Sequence, residues 1–213
     1  WGGSHLSWMR YLTLASFRRW HPDWDVYLYR ITAGSQSRWG THEREDEAVG
    51  QNYLERLEAL SIKVVPWQSP IRDATVTHAS DLCQWEILST TGGFYADMDI
   101  LFIAPLDFGE WSQADAVTCL SGGYMTIGLF GASPDSALFS AVRQEALHRY
   151  NPASYQSTGA EAIYGMTGQG DTWNRTPGPG RIAVSALRRK YPSLRFLELP
   201  AQTVYPWDYE HPD

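Results

Sequence analysis

The chain has 213 residues, of which 43% are hydrophobic and 19% are charged, and its net charge at pH 7 is −7. This composition is typical of a globular protein with a substantial core, and it excludes a disordered or fibrous chain. The negative charge argues against broad binding of nucleic acids or anionic membranes. The sequence also has no run of about 18 apolar residues, the length that a membrane-spanning helix needs.

The first elements are typical of an α/β nucleotide-binding fold. Residues 1–3 form a glycine-rich turn, and the apolar spacing after them predicts a helix that ends near Arg18 and Arg19. Residues 24–31 alternate like a strand. A turn, a helix and a strand in this order begin many α/β domains.

The next stretch carries no predicted chemistry. Residues 34–50 are polar and acidic, which indicates a solvated segment, and residues 52–60 have helical spacing. A short strand over 62–67 precedes the loop 69–77. Cys83 and Cys119 fall in a predicted helix and a predicted strand, and we expect two buried free thiols in a reducing compartment. The expected location is therefore the cytoplasm, or a soluble domain of a longer protein.

Residues 78–106 carry the pattern that points to function. Ser80 is predicted to cap a helix, and Gly92-Gly93 ends it, because glycine accepts the left-handed backbone of a helix exit. The apolar run 100–103 predicts a buried strand that also contains Asp97 and Asp99.

Asp97 and Asp99 are candidate metal ligands. Strand alternation predicts that both carboxylates point the same way, with their Cα atoms about 7 Å apart. Two buried carboxylates repel each other, and a hard divalent cation such as Mn²⁺ or Mg²⁺ relieves that cost while it keeps positions for substrate phosphates. The alternative interpretation is a solvated strand end with no ligand.

This stretch resembles the DXD-motif glycosyltransferases, the family typified by yeast-type initiating mannosyltransferases and the large clostridial glucosylating toxins. The residues that carry the resemblance are Ala79, Ser80, Asp81, Leu82, Leu88, Gly92, Gly93, Tyr95, Asp97, Asp99, Pro105 and Leu106. Gln84 departs from the pattern, because the family usually has a basic donor-binding residue there. The resemblance implies a single GT-A type α/β catalytic domain over 1–213, with a mixed, mainly parallel central sheet flanked by helices.

The resemblance also implies roles for single residues. Asp81 would contact ribose and sugar hydroxyls, although from the sequence alone it is equally a helix-dipole acid. The opening Trp1-Gly2-Gly3 is similar to the family's opening W-x-G-G, whose Trp holds the uracil of the donor. In the family a strand normally precedes this opening, so we expect a further strand upstream of Trp1. The predicted catalytic residues are Asp81, Asp97 and Asp99. The predicted donor-binding residues are Trp1, Gly2, Gly3, Asp81, Gln84, Tyr95, Asp97 and Met98. The predicted metal ligands are Asp97, Asp99 and His211.

The C-terminal half matches the family loosely. Its pattern predicts a strand over 115–120, a helix over 136–150, a glycine-rich stretch over 151–180, a helix over 181–191 and a strand over 194–199. The T-x-G-P-G stretch from Thr176 resembles the family's T-G-P segment, and His211 follows an aromatic tail like the family's.

The sequence therefore favours a metal-dependent glycosyltransferase that moves a sugar from a nucleotide-diphosphate donor, a UDP-sugar by the resemblance, to a hydroxyl of a glycan or another acceptor. The resemblance implies retention of anomeric configuration. Two alternatives stay open. A metal-dependent phosphohydrolase or nucleotidyltransferase also uses paired acids, but it would need further acids or a lysine. A non-catalytic carbohydrate-binding module would explain the 10 Trp and 12 Tyr residues.

Overall fold

A computed structural model describes residues 2, 5–31 and 50–204. The predictions for Trp1, Gly3 and His211, and for most of the acidic segment 34–50, lie outside the described residues. The helices are α1 (Trp8–Trp20), α2 (Val76–Thr90), α3 (Phe108–Trp111), α4 (Ala137–Arg149), α5 (Ala160–Met166) and α6 (Pro179–Lys190). The strands are β1 (Val26–Ile31), β2 (Ile62–Trp67), β3 (Gly93–Ala96), β4 (Ala116–Ser121), β5 (Tyr124–Met125), β6 (Leu129–Ala132) and β7 (Phe196–Leu199). In the described residues, 3-10 helices span Leu54–Leu60, Gly170–Arg175 and Ala201–Thr203.

The chain divides into two compact units. The first contains residues 1–83 and 97–106, and the second contains residues 84–96 and 107–213. The prediction of a single catalytic domain over 1–213 stays a prediction. Within the described ranges, no helix has the length and apolar character needed to cross a membrane. Cys83 and Cys119 are buried free thiols, as expected, and the cytoplasmic location stays a prediction.

The first unit is built on two parallel strands. β1 pairs with β2 from Val26 opposite Ile62 to Ile31 opposite Trp67. Gly2 adds an isolated parallel bridge to Ile31. Helix α1 begins where the Ser7 hydroxyl accepts a hydrogen bond from the Arg10 N–H. The buried side chains that form the core of this unit are Leu6, Leu14, Leu28, Leu57 and Ile62.

Arg18 ties the elements of the first unit together. Its guanidinium donates hydrogen bonds to five backbone carbonyls, those of His21, Pro22, Trp24, Leu60 and Ser61. These carbonyls belong to the exit of α1, the approach to β1 and the turn before β2. One side chain therefore supplies donors to three chain segments at once.

The second unit contains a mostly antiparallel sheet. Its strand order is β3-β6-β4-β5, and β7 pairs with β4 in parallel. The Trp85 ring lies near the rings of Phe130 and Phe139, with centroids 5.5 and 6.0 Å away. Its indole N–H donates to the Thr158 carbonyl at 2.7 Å. This aromatic group joins the second half of α2 to the sheet and to α4.

The α/β class is confirmed, but the described residues do not form the mainly parallel central sheet that was predicted. Among the strand pairs of the described residues, β1–β2 and β4–β7 are parallel and the other three are antiparallel. The connections explain the difference. Two residues join β4 to β5 and three join β5 to β6, whereas a parallel crossover needs a dozen or more.

Two boundaries around the acidic motif also differ from the prediction. Helix α2 begins at Val76, and Thr75 caps it by accepting from the His78 N–H at 3.3 Å, so the assignment of the cap to Ser80 was wrong. The segment 100–103 is not a strand. The strand of this region is β3, which ends at Ala96, directly before Asp97.

Candidate active site

The D-x-D motif lies in a turn and not inside a strand. Met98 and Asp99 form the turn, and the Ile100 N–H contacts the Asp97 carbonyl at 3.4 Å. Met98 packs against the hydrophobic core of the first unit. Asp97 is half-buried and Asp99 is exposed. The prediction that strand alternation points both carboxylates the same way was therefore wrong. The two acids instead flank Met98, whose side chain anchors the turn to the core.

A single aromatic side chain anchors the segment after the motif. Phe102 is 9% exposed, its N–H donates to the Ser16 hydroxyl at 3.1 Å, and its carbonyl accepts from the Trp20 indole at 3.0 Å. Leu101 and Ile103 are 56% and 78% exposed. The apolar run 100–103 was predicted to form a buried strand, but Phe102 is its one buried residue and Ile100 is half-buried.

His21 holds the end of the same segment. Its Nε2 accepts a hydrogen bond from the Leu106 N–H at 3.1 Å, and its ring lies 4.8 Å from that of Phe17. Burial lowers the pKa of His21 below its ordinary value. Both observations favour the neutral imidazole with an unprotonated Nε2, because only that form can accept from a backbone N–H.

Asp81 lies in the first half of α2, within the first unit. It is 8% exposed, five positions after the helix begins at Val76. One turn earlier, His78 is fully buried, with its Nδ1 3.0 Å from the Thr75 hydroxyl. Asp81 is therefore a buried carboxylate on a helix with a fixed start, and its role in donor binding stays a prediction.

Gly2 lies at the carboxyl edge of the parallel strands. Its bridge partner Ile31 is the last residue of β1, and Ile31 is opposite Trp67, the last residue of β2. A Cβ atom on Gly2 would lie only 2.5 Å from Cγ1 of Val76, the first residue of α2. Ligands of open α/β sheets bind outside this edge. The structure thus brings one predicted donor-binding residue, two strand ends and the start of α2 together.

Gln84 and Tyr95 belong to the second unit. Gln84 is 2% exposed, and its Nε2 donates to the Ile127 carbonyl at 3.1 Å. Tyr95 is half-buried in β3, opposite Phe130 of β6. Their roles in donor binding stay predictions.

The acid pair fits a cation that protein and substrate hold jointly. The residues described here contain no group of three His, Cys, Asp or Glu side chains that could enclose a metal ion. Mg²⁺ and similar ions are commonly held by one or two carboxylates together with water and substrate phosphates. A half-buried Asp97 and an exposed Asp99 on one turn supply that kind of donor set.

Sequence reasoning assigned no role to the residues of α1 that hold the segment after the motif. Ser16, Trp20 and His21 contact positions that lie 82 to 86 residues further along the chain. No local pattern reveals such pairs. The one available signal is a group of five side chains with hydrogen-bonding atoms in the last half of α1 and the residue after it, namely Ser16, Arg18, Arg19, Trp20 and His21.

Comparison with known proteins identifies a family and a solved structure to which this chain is similar. The sequence model of the family described as "Glycosyltransferase sugar-binding region containing DXD motif" matches residues 8–117. Among solved structures, the PaToxG glycosyltransferase is similar with a TM-score of 0.56 and 14% identity, over 91% of this chain and 67% of that chain. At this identity the likeness shows the fold alone. No curated protein matches the chain.

Proposed function

The chain belongs to the family of glycosyltransferase sugar-binding regions that contain the DXD motif, and from this premise we propose that it transfers a hexose from a UDP-sugar to an acceptor hydroxyl with a divalent cation. It is a glycosyltransferase; the donor, the metal dependence and retention of configuration are the proposed part. The observation that carries the proposal is the acidic turn, in which a half-buried Met98, packed against the core of the first unit, separates half-buried Asp97 from exposed Asp99.

Asp97 and Asp99 are the proposed metal ligands in the described residues, and His211 is the proposed third ligand. A bound Mn²⁺ or Mg²⁺ ion would neutralise the charge that develops on the departing nucleoside diphosphate. The two carboxylates would hold this cation next to the donor. Met98 keeps the turn from rotating, because its side chain would have to leave the hydrophobic core of the first unit.

Asp81 is the proposed ligand of the donor sugar and ribose hydroxyls. A buried carboxylate accepts strong hydrogen bonds from hydroxyl groups, and its position on α2 gives it little freedom. Gly2, with Trp1 and Gly3 beside it in the chain, is proposed to hold the nucleotide. The acceptor oxygen bonds to the anomeric carbon while the bond from that carbon to the diphosphate oxygen breaks, and the acceptor proton is released.

The test is a panel of sugar nucleotides with Mn²⁺, in which release of nucleoside diphosphate is measured with and without acceptors. We expect release from one donor, and we expect its loss after chelation and in Asp99→Asn. Asp73→Asn, which changes an exposed acid in the loop before α2, is the matched control and should keep full turnover. Release of inorganic phosphate from simple phosphoesters, or glycan binding without turnover, would contradict the proposal.

A further inference from the structure

Gln84 stands where the family usually has a basic residue, and the structure gives it a different contact. Its side chain is almost fully buried, and its Nε2 donates to the Ile127 carbonyl at 3.1 Å. A guanidinium in this position would be a buried charge, which needs paired partners to be tolerated. A neutral amide carries no charge to compensate, and Gln84 uses one of its N–H groups in the hydrogen bond to Ile127.

Ile127 is the middle residue of the three-residue connection between β5 and β6. On one side of it, the Thr126 N–H and hydroxyl both donate to the Cys119 carbonyl, at 3.1 and 3.2 Å. On the other side, Leu129 begins β6. Gln84 is thus the contact from α2 that fixes the centre of a connection whose first residue is already tied to β4.

This connection leads into β6, which pairs with β3, the strand that ends directly before the acidic motif. Leu129 of β6 pairs with Ala96, the last residue of β3, and Asp97 follows Ala96 in the chain. We infer that Gln84 is a positioning residue: it acts through Ile127 and the start of β6 on the end of β3 from which Asp97 leaves, and it is not a ligand of the donor. The kinetic part of this inference rests on the proposed function.

The test uses Gln84→Met, which keeps the length and volume of the side chain and removes the donor. Hydrogen exchange of β3 and β6 amides is measured without any ligand, together with kcat and KM for the sugar nucleotide. We expect these amides to exchange about fivefold faster or more, because one hydrogen bond near the strand pair is lost. We expect kcat to fall about tenfold while the donor KM changes less than about twofold.

Arg143→Met is the matched control. It removes the ion pair at 2.8 Å between Arg143 of α4 and Glu86, two positions after Gln84 on the same helix. Exchange of β3 and β6 should stay at the unmutated rate in this variant. Should Gln84→Met fail to fold, Thr126→Val loosens the same connection at its first residue, because it removes the hydroxyl bond to the Cys119 carbonyl. This variant should also show faster exchange together with a lower kcat.

Four outcomes would overturn the inference. They are unchanged exchange in Gln84→Met, faster exchange with unchanged turnover, a higher donor KM with unchanged exchange, and a lower donor KM in Gln84→Arg. Failure of the proposed function looks different, because it appears as the absence of donor turnover in the unmutated protein. The hydrogen-exchange measurement tests the positioning role of Gln84 whether or not the protein turns over a donor.

Discussion

The Leu106 N–H donates to Nε2 of His21 at 3.1 Å, across 85 positions of the chain. His21 follows the last residue of α1, and Leu106 ends the segment that begins with the acidic motif. The bond therefore connects the far end of that segment to the first helix. It also depends on the protonation state of one imidazole.

We expect the stability of the protein to fall in mild acid through His21. Burial lowers its pKa in the folded protein, while the unfolded chain binds the proton near its ordinary value of about 6.5. The stability that neutral His21 contributes is therefore complete above about pH 6.5 and is lost as the pH falls through the lower folded pKa. Urea unfolding midpoints between pH 7.5 and 5 measure this loss.

His21→Phe should remove that pH dependence and lower the free energy of unfolding by about 1–2 kcal/mol at neutral pH, because the Leu106 N–H loses its acceptor. The ring contact with Phe17 can be kept. His148→Gln, on the exposed face of α4, is the control and should leave the pH profile unchanged. An acid slope that persists in His21→Phe would contradict this role.

Arg18→Met should lower the free energy of unfolding by on the order of 3 kcal/mol, because five carbonyls lose a charged donor. Thermal and urea unfolding measure the loss. Arg18→Lys should recover only part of it, since an ammonium has three donors in place of the guanidinium fork. Arg19→Met is the neighbouring control, and its exposed side chain should contribute less than about 1 kcal/mol. Equal effects at the two positions would show that the carbonyl contacts carry no special weight.

Local patterns predicted the elements whose contacts are near in sequence. Helix α1 and strands β1 and β2 were expected within a few residues of where they lie, because their apolar spacing matches the face they bury. The segment 100–103 was misread because its environment is set by α1. An apolar run cannot show that Ser16 and Trp20 bind the backbone of Phe102 and leave its neighbours exposed.

The acids of the candidate site were found for a related reason. Asp97 and Asp99 stand out in an apolar sequence whatever their backbone conformation, so they could be chosen as candidates while their geometry could not be predicted. The prediction of a mainly parallel sheet was wrong for a similar reason. Strand patterns do not record which strands pair, and the two- and three-residue connections around β5 become decisive only when that short strand is recognised.

Phe102→Ala should be far more disruptive than a change at either neighbour. It removes the buried ring that contacts Phe17 at 5.1 Å between centroids, with an expected cost of about 3–5 kcal/mol. We expect donor turnover to fall with it, because the acidic turn is only three residues away. Ile103→Ser, at a side chain that is 78% exposed, should change stability by less than about 0.5 kcal/mol. A larger loss in Ile103→Ser than in Phe102→Ala would show that the exposed residues are covered in solution.

Gly2 and Val76 form a pair whose coupling can be measured. A methyl group on Gly2 would approach Cγ1 of Val76 to 2.5 Å, so Gly2→Ala should cost about 1–3 kcal/mol through overpacking. Val76→Ala removes both Cγ atoms and should restore most of that loss in the double variant, which gives a favourable coupling in the double-mutant cycle. Val76→Ala alone is the control for the helix itself.

If Gly2 also contacts the nucleotide, the double variant Gly2→Ala with Val76→Ala will fold normally and still bind the donor more weakly than the single variant Val76→Ala. Equal donor affinities in those two variants would limit Gly2 to packing against the start of α2.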